Sequence, residues 1–203
     1  MLLRYFHPKR VKVSAVRSVT TTSEQQVSHL KETLANRFNA KQCHPREEMT
    51  KQYPQTAANV QEHYLFSEQS MQRLPWEMMV DPSNRVLWSF IQFREHHQLG
   101  NTQGYVHGGL LSAVFDGALG SLFTMSGVSG FTANLNIDYR HPVSIPSTLM
   151  LRAEITKIEG RKLWISGQLT ELQLHEPGDT NGGSKSVVFV EGTGLFIEQK
   201  ESV

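Results

Sequence analysis

Between Gly108 and about Ser126 lies a run of Leu110, Leu111, Val114, Phe115, Leu119, Leu122, Phe123 and Met125 broken mainly by small residues. Wound at about 3.6 residues per turn, these side chains point to nearly every side of a helix. A helix that is apolar all round has to be enclosed. The enclosure comes next in the chain. Phe131 to Arg140 alternates, placing Phe131, Ala133, Leu135, Ile137 and Tyr139 on one side and Thr132, Asn134, Asn136, Asp138 and Arg140 on the other. That is the period of a strand. Three more strands are predicted over Thr148–Ile158, Lys162–Leu172 and Ser186–Glu198. A short Glu159-Gly160 turn joins the first two, and the turn-rich segment Glu176 to Ser184 joins the last two. Arg85 to Phe93 reads as a further strand. The fold class is therefore α+β, an antiparallel sheet wrapped around one central helix.

Ahead of this domain, taken as residues 81–203, residues 24–80 read as a helical extension. Val27, Leu30, Leu34 and Phe38 recur at spacings of three or four and predict a helix over Glu24 to Cys43. Pro45 and Pro54 punctuate the next stretch, with Lys51-Gln-Tyr-Pro as a linker and a short helix over Ala58 to Phe66. The pattern leaves open whether the extension packs on the domain or on a partner. Residues 1–23 carry Arg4, Lys9, Arg10, Lys12 and Arg17, six Ser and Thr residues, and no acid before Glu24. Basic, hydroxyl-rich and acid-free is the composition of a mitochondrial transit segment, so the expected location is the matrix, with the cytoplasm as second choice. With a net charge of +1, the chain does not suggest nucleic acid as a partner. The single cysteine, Cys43, excludes an intrachain disulfide. The longest apolar stretch, Leu110 to Met125, contains Asp116 and falls short of a membrane span.

The chemistry concentrates in Asn101-Thr-Gln-Gly104-Tyr-Val-His107-Gly108-Gly109. A His-Gly-Gly turn opening a helix presents free backbone N–H groups at its positive end, where a carbonyl oxygen can be held as it becomes an oxyanion. Asp116 lies nine residues after His107, about two and a half turns along. A carbonyl donor with a carboxylate to activate water reads as ester or thioester hydrolysis. The plainer alternatives are a Gly pair that merely turns the chain and an Asp satisfied by a structural hydrogen bond. Flanked by Val114, Phe115 and Leu119, Asp116 is expected to be desolvated, which raises a carboxylate's proton affinity and improves it as a base. Direct attack through an acyl-enzyme anhydride would use the same residue. Glu95-His96-His97 has the wrong spacing for a zinc helix, and no dinucleotide fingerprint, P-loop or G-x-S-x-G elbow is present. Neither a metal nor an organic cofactor is called for.

Asn101, Gly104, His107, Gly108, Gly109 and Asp116 fit the N-x-x-G-x-x-H-G-G…D pattern, and the chain resembles hotdog-fold acyl-CoA thioesterases of the phenylacetate-pathway type. Thr132-Ala-Asn134-Leu-Asn136-Ile-Asp138-Tyr-Arg140-His-Pro142 and Glu159-Gly-Arg161-Lys162-Leu-Trp are similar to vertebrate thioesterase superfamily members four and five. The resemblance covers about residues 86 to 198, with three blocks in order. It implies hydrolysis of acyl-CoA to free acid and CoA. The Gly108 N–H would be the oxyanion donor, with Gly109 sharing that role or serving helix packing. Asn101 would polarise the carbonyl or simply build a turn, and His107 would tie down the loop or act as base. Thr132 would orient the attacking water, its alternative being an ordinary strand residue.

The resemblance also assigns Asp138, Arg140, Arg161 and Lys162 to CoA. The three cations suit its phosphates, while Asp138 stands where an asparagine is expected and would meet adenine or pair with Arg140. A groove lined by Phe115, Leu119 and Phe123 would favour medium- to long-chain fatty acyl groups. A lone protomer would expose a sheet edge and half a site, so a homodimer or dimer of dimers is expected, with Asp116 of one protomer facing Gly108 of the other. Two rivals stand beside this reading. One is a non-catalytic regulator that binds a signalling protein and keeps a vestigial acyl-CoA pocket. The other, an enoyl-CoA hydratase, needs a His after the Asp on the same helix, and none follows Asp116 before His141.

Overall fold

The computed structural model describes residues 22–43, 65, 68–83, 85–95, 100–101, 103–172 and 186–199. The expected transit segment up to residue 21, the Lys51 linker, His96, His97, the loop from Glu176 to Ser184 and the helix over Ala58 to Phe66 (apart from Leu65) lie outside these residues.

The central helix, α3 (Gly108–Met125), buries Leu110, Leu111, Val114, Phe115, Ala118, Leu119, Ser121, Leu122 and Phe123. It lies against one face of an antiparallel sheet of seven strands among the described residues: β1 (Lys41–Cys43), β2 (Trp76–Asp81), β3 (Val86–Phe93), β4 (Gly130–Tyr139), β5 (Ser147–Glu159), β6 (Lys162–Thr170) and β7 (Val188–Glu198). The sheet order is β1-β2-β3-β5-β6-β7-β4, every pairing antiparallel. This is the hotdog arrangement expected from the sequence. Its core joins α3 to Leu87, Ile91, Leu151, Ala153, Ile165, Leu169, Val190 and Phe196 from the facing strands. The approach of helix to sheet is close enough to demand glycine at Gly192. A Cβ there would sit 2.7 Å from Ile137 Cδ1 and 2.9 Å from Phe115 Cδ1. At 18 residues α3 is, by length and composition alone, apolar enough to cross a membrane, a test that a core helix also passes. Half of it is buried within the fold, as befits a core helix.

The predicted strands over Thr148–Ile158, Lys162–Leu172, Ser186–Glu198 and Arg85–Phe93 correspond to β5, β6, β7 and β3 within a few residues. The extension differs from its predicted form. Helix α1 spans Ser23–Phe38 and stops short of Cys43, because Asn39 turns left-handed at φ 50°. A capping box starts it, with the Gln25 N–H donating to Thr22 Oγ1 and the Thr22 N–H to Gln25 Oε1. The chain then contributes β1, the short helix α2 (Glu68–Arg73) and β2, so the extension is part of the sheet and not only helical. Val27 and Leu34 of α1 form a second apolar cluster with Met79, Val86, Trp88, Phe90 and Met150, and Leu30 and Phe38 pack against it. Since Leu87 and Ile91 of β3 join the core beneath α3, alternation sends Val86, Trp88 and Phe90 to the opposite face. Helix α1 thus covers the outer face of the sheet. Burial on both faces explains why β3 reads as almost continuously apolar.

Candidate active site

Strand β4 is the last strand in the sheet order, and its register with β7 slips between Thr132 and Asn134. One extra residue reverses which face the later side chains take. Leu135, Ile137 and Tyr139 pair with Gly194, Gly192 and Val190, while Thr132 pairs with the buried Phe196. Thr132 therefore shares the helix-facing side with Leu135, Ile137 and Tyr139. The uninterrupted alternation expected from Phe131 to Arg140 is corrected by this bulge. Thr132 does not begin the polar row of Asn134, Asn136 and Asp138, but stands exposed on the helix-facing side.

The consequence is a contact. Thr132 Oγ1 donates to Asp116 Oδ1 at 2.9 Å. Asp116 is exposed in the protomer, which corrects the expected desolvation. Val114, Phe115 and Leu119 all turn into the core, while Asp116 lies on the open flank of α3, one turn beyond Ser112. The expected acyl groove is corrected for the same reason. Phe115 and Leu119 are fully buried against the sheet and Phe123 stacks on Phe196 at 5.2 Å, so the three fill the core and line no open channel.

At the N-terminus of α3, His107 is the N-cap, and its Nδ1 accepts from the Gly109 N–H at 3.0 Å. A neutral ring accepting at Nδ1 carries its proton on Nε2 and has no lone pair left for base chemistry. The Gly109 N–H is likewise committed and cannot share the donor role with Gly108. The Gly108 N–H, at the first helical position, has no acceptor among the described residues. Asn101 builds the preceding turn. Its Oδ1 accepts from the N–H groups of Gln103 at 2.9 Å and Tyr105 at 3.1 Å, its own N–H donates to the Tyr105 carbonyl, and Gly104 takes φ 81°. Two hydroxyls absent from the site expected on sequence grounds also meet here. The Tyr139 hydroxyl donates to the Gly108 carbonyl oxygen at 3.0 Å, and Ser112 Oγ lies 2.5 Å from that hydroxyl. The only trace of Ser112 in the sequence is its place one turn after Gly108, and Tyr139 stands there as a plain member of an apolar row.

The four residues expected at CoA fall into two groups at opposite ends of β4. Arg140 pairs with Asp138 at 3.2 Å and, through Nε, with Glu191 at 2.8 Å. The hydrogen bond from Arg140, then that from Gln168, holds the Glu191 carboxyl below the usual carboxylate range, and Glu191 and Asp138 raise the Arg140 guanidinium above its ordinary value. Arg161 and Lys162 stand at the other end, on the β5–β6 turn, where Arg161 Nη1 donates to the Glu198 carbonyl at 3.0 Å and Lys162 pairs with Ile197. The two ends of β4 are nine residues apart, about 30 Å along a strand, so one protomer does not gather all four around one nucleotide.

The described residues thus hold a donor N–H at a helix start and a hydroxyl-bonded carboxylate farther along the same helix. Residues 103–173 match the model of the Thioesterase superfamily. Among curated proteins, the chain is 32% identical over 100 residues to the mouse protein named acyl-coenzyme A thioesterase THEM4, covering 49% of this chain and 38% of that one. It is 31% identical over 101 residues to a Candida albicans protein described as uncharacterized and mitochondrial, covering 49% of this chain and 44% of that one. The chain thus spans less than half the length of these two relatives. Among solved structures, mouse thioesterase superfamily member 2 aligns with a TM-score of 0.48 at 18% identity, covering 69% of this chain and 92% of that chain.

Proposed function

We propose that this protein is an acyl-CoA thioesterase whose active site is completed by a second copy of the chain. One observation carries the reading. The exposed Asp116, held by Thr132, and the unengaged Gly108 N–H share one helix but stand eight residues apart. At about 1.5 Å of rise per residue that is about 12 Å, too far for both to meet one thioester carbonyl, where reacting groups need to come within roughly 3–3.5 Å. Each protomer therefore holds two half-sites, and both flank β4, the edge where a second chain can pair.

In the assembled site the thioester oxygen accepts from the Gly108 N–H of one protomer. Asp116 of the other takes a proton from water that Thr132 helps to orient, or attacks directly. Tetrahedral collapse then expels the CoA thiolate. Covering Asp116 with the partner supplies the desolvation that a lone protomer lacks. Arg161 and Lys162, exposed at one end of β4, are the proposed partners of the CoA phosphates. Arg140 is already engaged by two carboxylates and contributes less. Two-fold pairing along β4 brings each protomer's Arg140 end toward the other's Arg161 end. Acyl-CoA is the proposed substrate, supported by the resemblance and by the name of the mouse relative, and medium- to long-chain fatty acyl groups are the proposed class. The mitochondrial matrix is the proposed location, supported by the basic, acid-free start of the chain and the description of the Candida relative.

Release of CoA from a ladder of acyl-CoAs of increasing chain length tests this reading. Turnover that peaks in one length class is expected and identifies the substrate. The absence of turnover at every length overturns the enzyme.

A further inference from the structure

We infer that Tyr139 is a positioning residue for the oxyanion donor, acting by clamping a single peptide group jointly with His107. The inference rests on the proposed site for its function and on the hydrogen bonds of α3 for its geometry. The peptide unit between Gly108 and Gly109 has two polar ends. Its N–H, belonging to Gly109, donates to His107 Nδ1 at 3.0 Å. Its C=O, belonging to Gly108, accepts from the Tyr139 hydroxyl at 3.0 Å, with Ser112 Oγ 3.2 Å away. The plane is thus held at both ends by side chains, one from the N-cap and one from β4.

Such a clamp is useful because of what stands next to it. Gly108 has no Cβ, and only its own two backbone bonds, φ and ψ, separate its N–H from the clamped plane. A glycine leaves both bonds without side-chain restraint, and fixing the plane on one side limits where the N–H can point. A donor acts on developing charge only where its direction is set beforehand. The Tyr139 ring also covers the Gly108 Cα, since a Cβ built there would lie 3.7 Å from both Cζ and the hydroxyl oxygen. Ser112 completes the arrangement, its Oγ 2.5 Å from the Tyr139 hydroxyl and within reach of the same carbonyl. A tyrosine needed only for strand packing would have no reason to aim its hydroxyl at a helix carbonyl already served by the helix itself.

The test uses Tyr139→Phe, which keeps the ring and removes the donor, with Ser112→Ala and Ser112→Thr beside it. In the acyl-CoA assay, Tyr139→Phe is expected to lower kcat roughly tenfold with KM changed less than about twofold, a smaller loss than deleting an oxyanion donor outright. Ser112→Ala moves the same way, and Ser112→Thr, which restores a hydroxyl, recovers activity. A His107→Ala, Tyr139→Phe double variant loses little more than the worse single variant, because both lesions free one plane. An unchanged kcat in Tyr139→Phe, or strict additivity in the double variant, overturns the positioning role. A second readout is independent of turnover. Amide hydrogen exchange at Gly109 in glycine-labelled protein is expected to accelerate about tenfold or more in Tyr139→Phe, and an unchanged rate overturns the clamp even if the wild type hydrolyses no acyl-CoA. Failure of the wild type in the assay, with Gly109 exchange still accelerated, overturns the thioesterase reading and leaves the clamp standing.

Discussion

In the proposed site the chemistry turns on Gly108, and on its backbone alone. His107, just before it, is extended at φ −65° and ψ 135°, the conformation that precedes proline readily, and the first helical position accepts proline because its N–H is unused by the helix. Gly108→Pro is therefore expected to fold and to lose about 10² or more in kcat, the cost of one oxyanion donor, as read from CoA release beside a thermal melt. Asp116→Asn should lose a similar factor while staying folded, because an exposed carboxylate contributes little to the core. Turnover surviving Asp116→Asn would remove the residue from the mechanism. At this scale the sequence carries much of the site. The spacing of His107, Gly108 and Asp116 is plain in the chain, and so is the option of Asn101 as a turn-builder. What stays hidden there are contacts made across the fold: Thr132 to Asp116, and Tyr139 to Gly108. Both depend on one bulged residue in β4, and no periodicity announces a bulge.

Among the elements, α3 is legible because an all-round apolar run has few places to go. The strands after it are legible from alternation and turns. The extension is not, for a physical reason. Trp76–Asp81 buries side chains on both faces, and Lys41–Cys43 is too short to show a period, so neither announces a strand. The sheet beneath α1 gives a stability prediction. Leu34 is completely buried between α1 and the outer face of the sheet. Leu34→Ala should cost about 2–5 kcal/mol in denaturant unfolding, the range for a large core side chain replaced by alanine. A loss below about 1 kcal/mol would mean that α1 is only loosely attached. At the Tyr139 end of β4, the Glu191 carboxyl lies below its ordinary value of 4.5 chiefly through the hydrogen bond from Arg140. A depressed carboxylate stabilises the fold above its unfolded value and loses that contribution as pH falls through the folded one. The Arg140–Glu191 tie should therefore hold at neutral pH and open only in acid, below about pH 4.5. Glu191→Gln is expected to flatten the acid limb of amide exchange in β4, and an unaltered limb would show that the tie does not secure the strand.

As a whole molecule, the protomer presents an unfinished structure. Strand β4 ends the sheet with Phe131 at 67% and Tyr139 at 52% exposure, and the two halves of the proposed site lie along that edge without meeting. A long edge strand with exposed aromatic side chains is what a soluble chain covers by pairing. Resemblance suggests the cross-protomer arrangement, and the separation of Gly108 from Asp116 along α3 gives it a geometric reason. Subunit complementation tests it most directly. Gly108→Pro and Asp116→Asn are each prepared as nearly inactive proteins, mixed in equal amounts, and allowed to exchange subunits. Each mixed dimer then pairs the intact Gly108 of one chain with the intact Asp116 of the other at one of its two sites. With random exchange, about a quarter of wild-type activity should return. Demonstrated exchange with no return of activity would place donor and base within one chain and contradict the composite site.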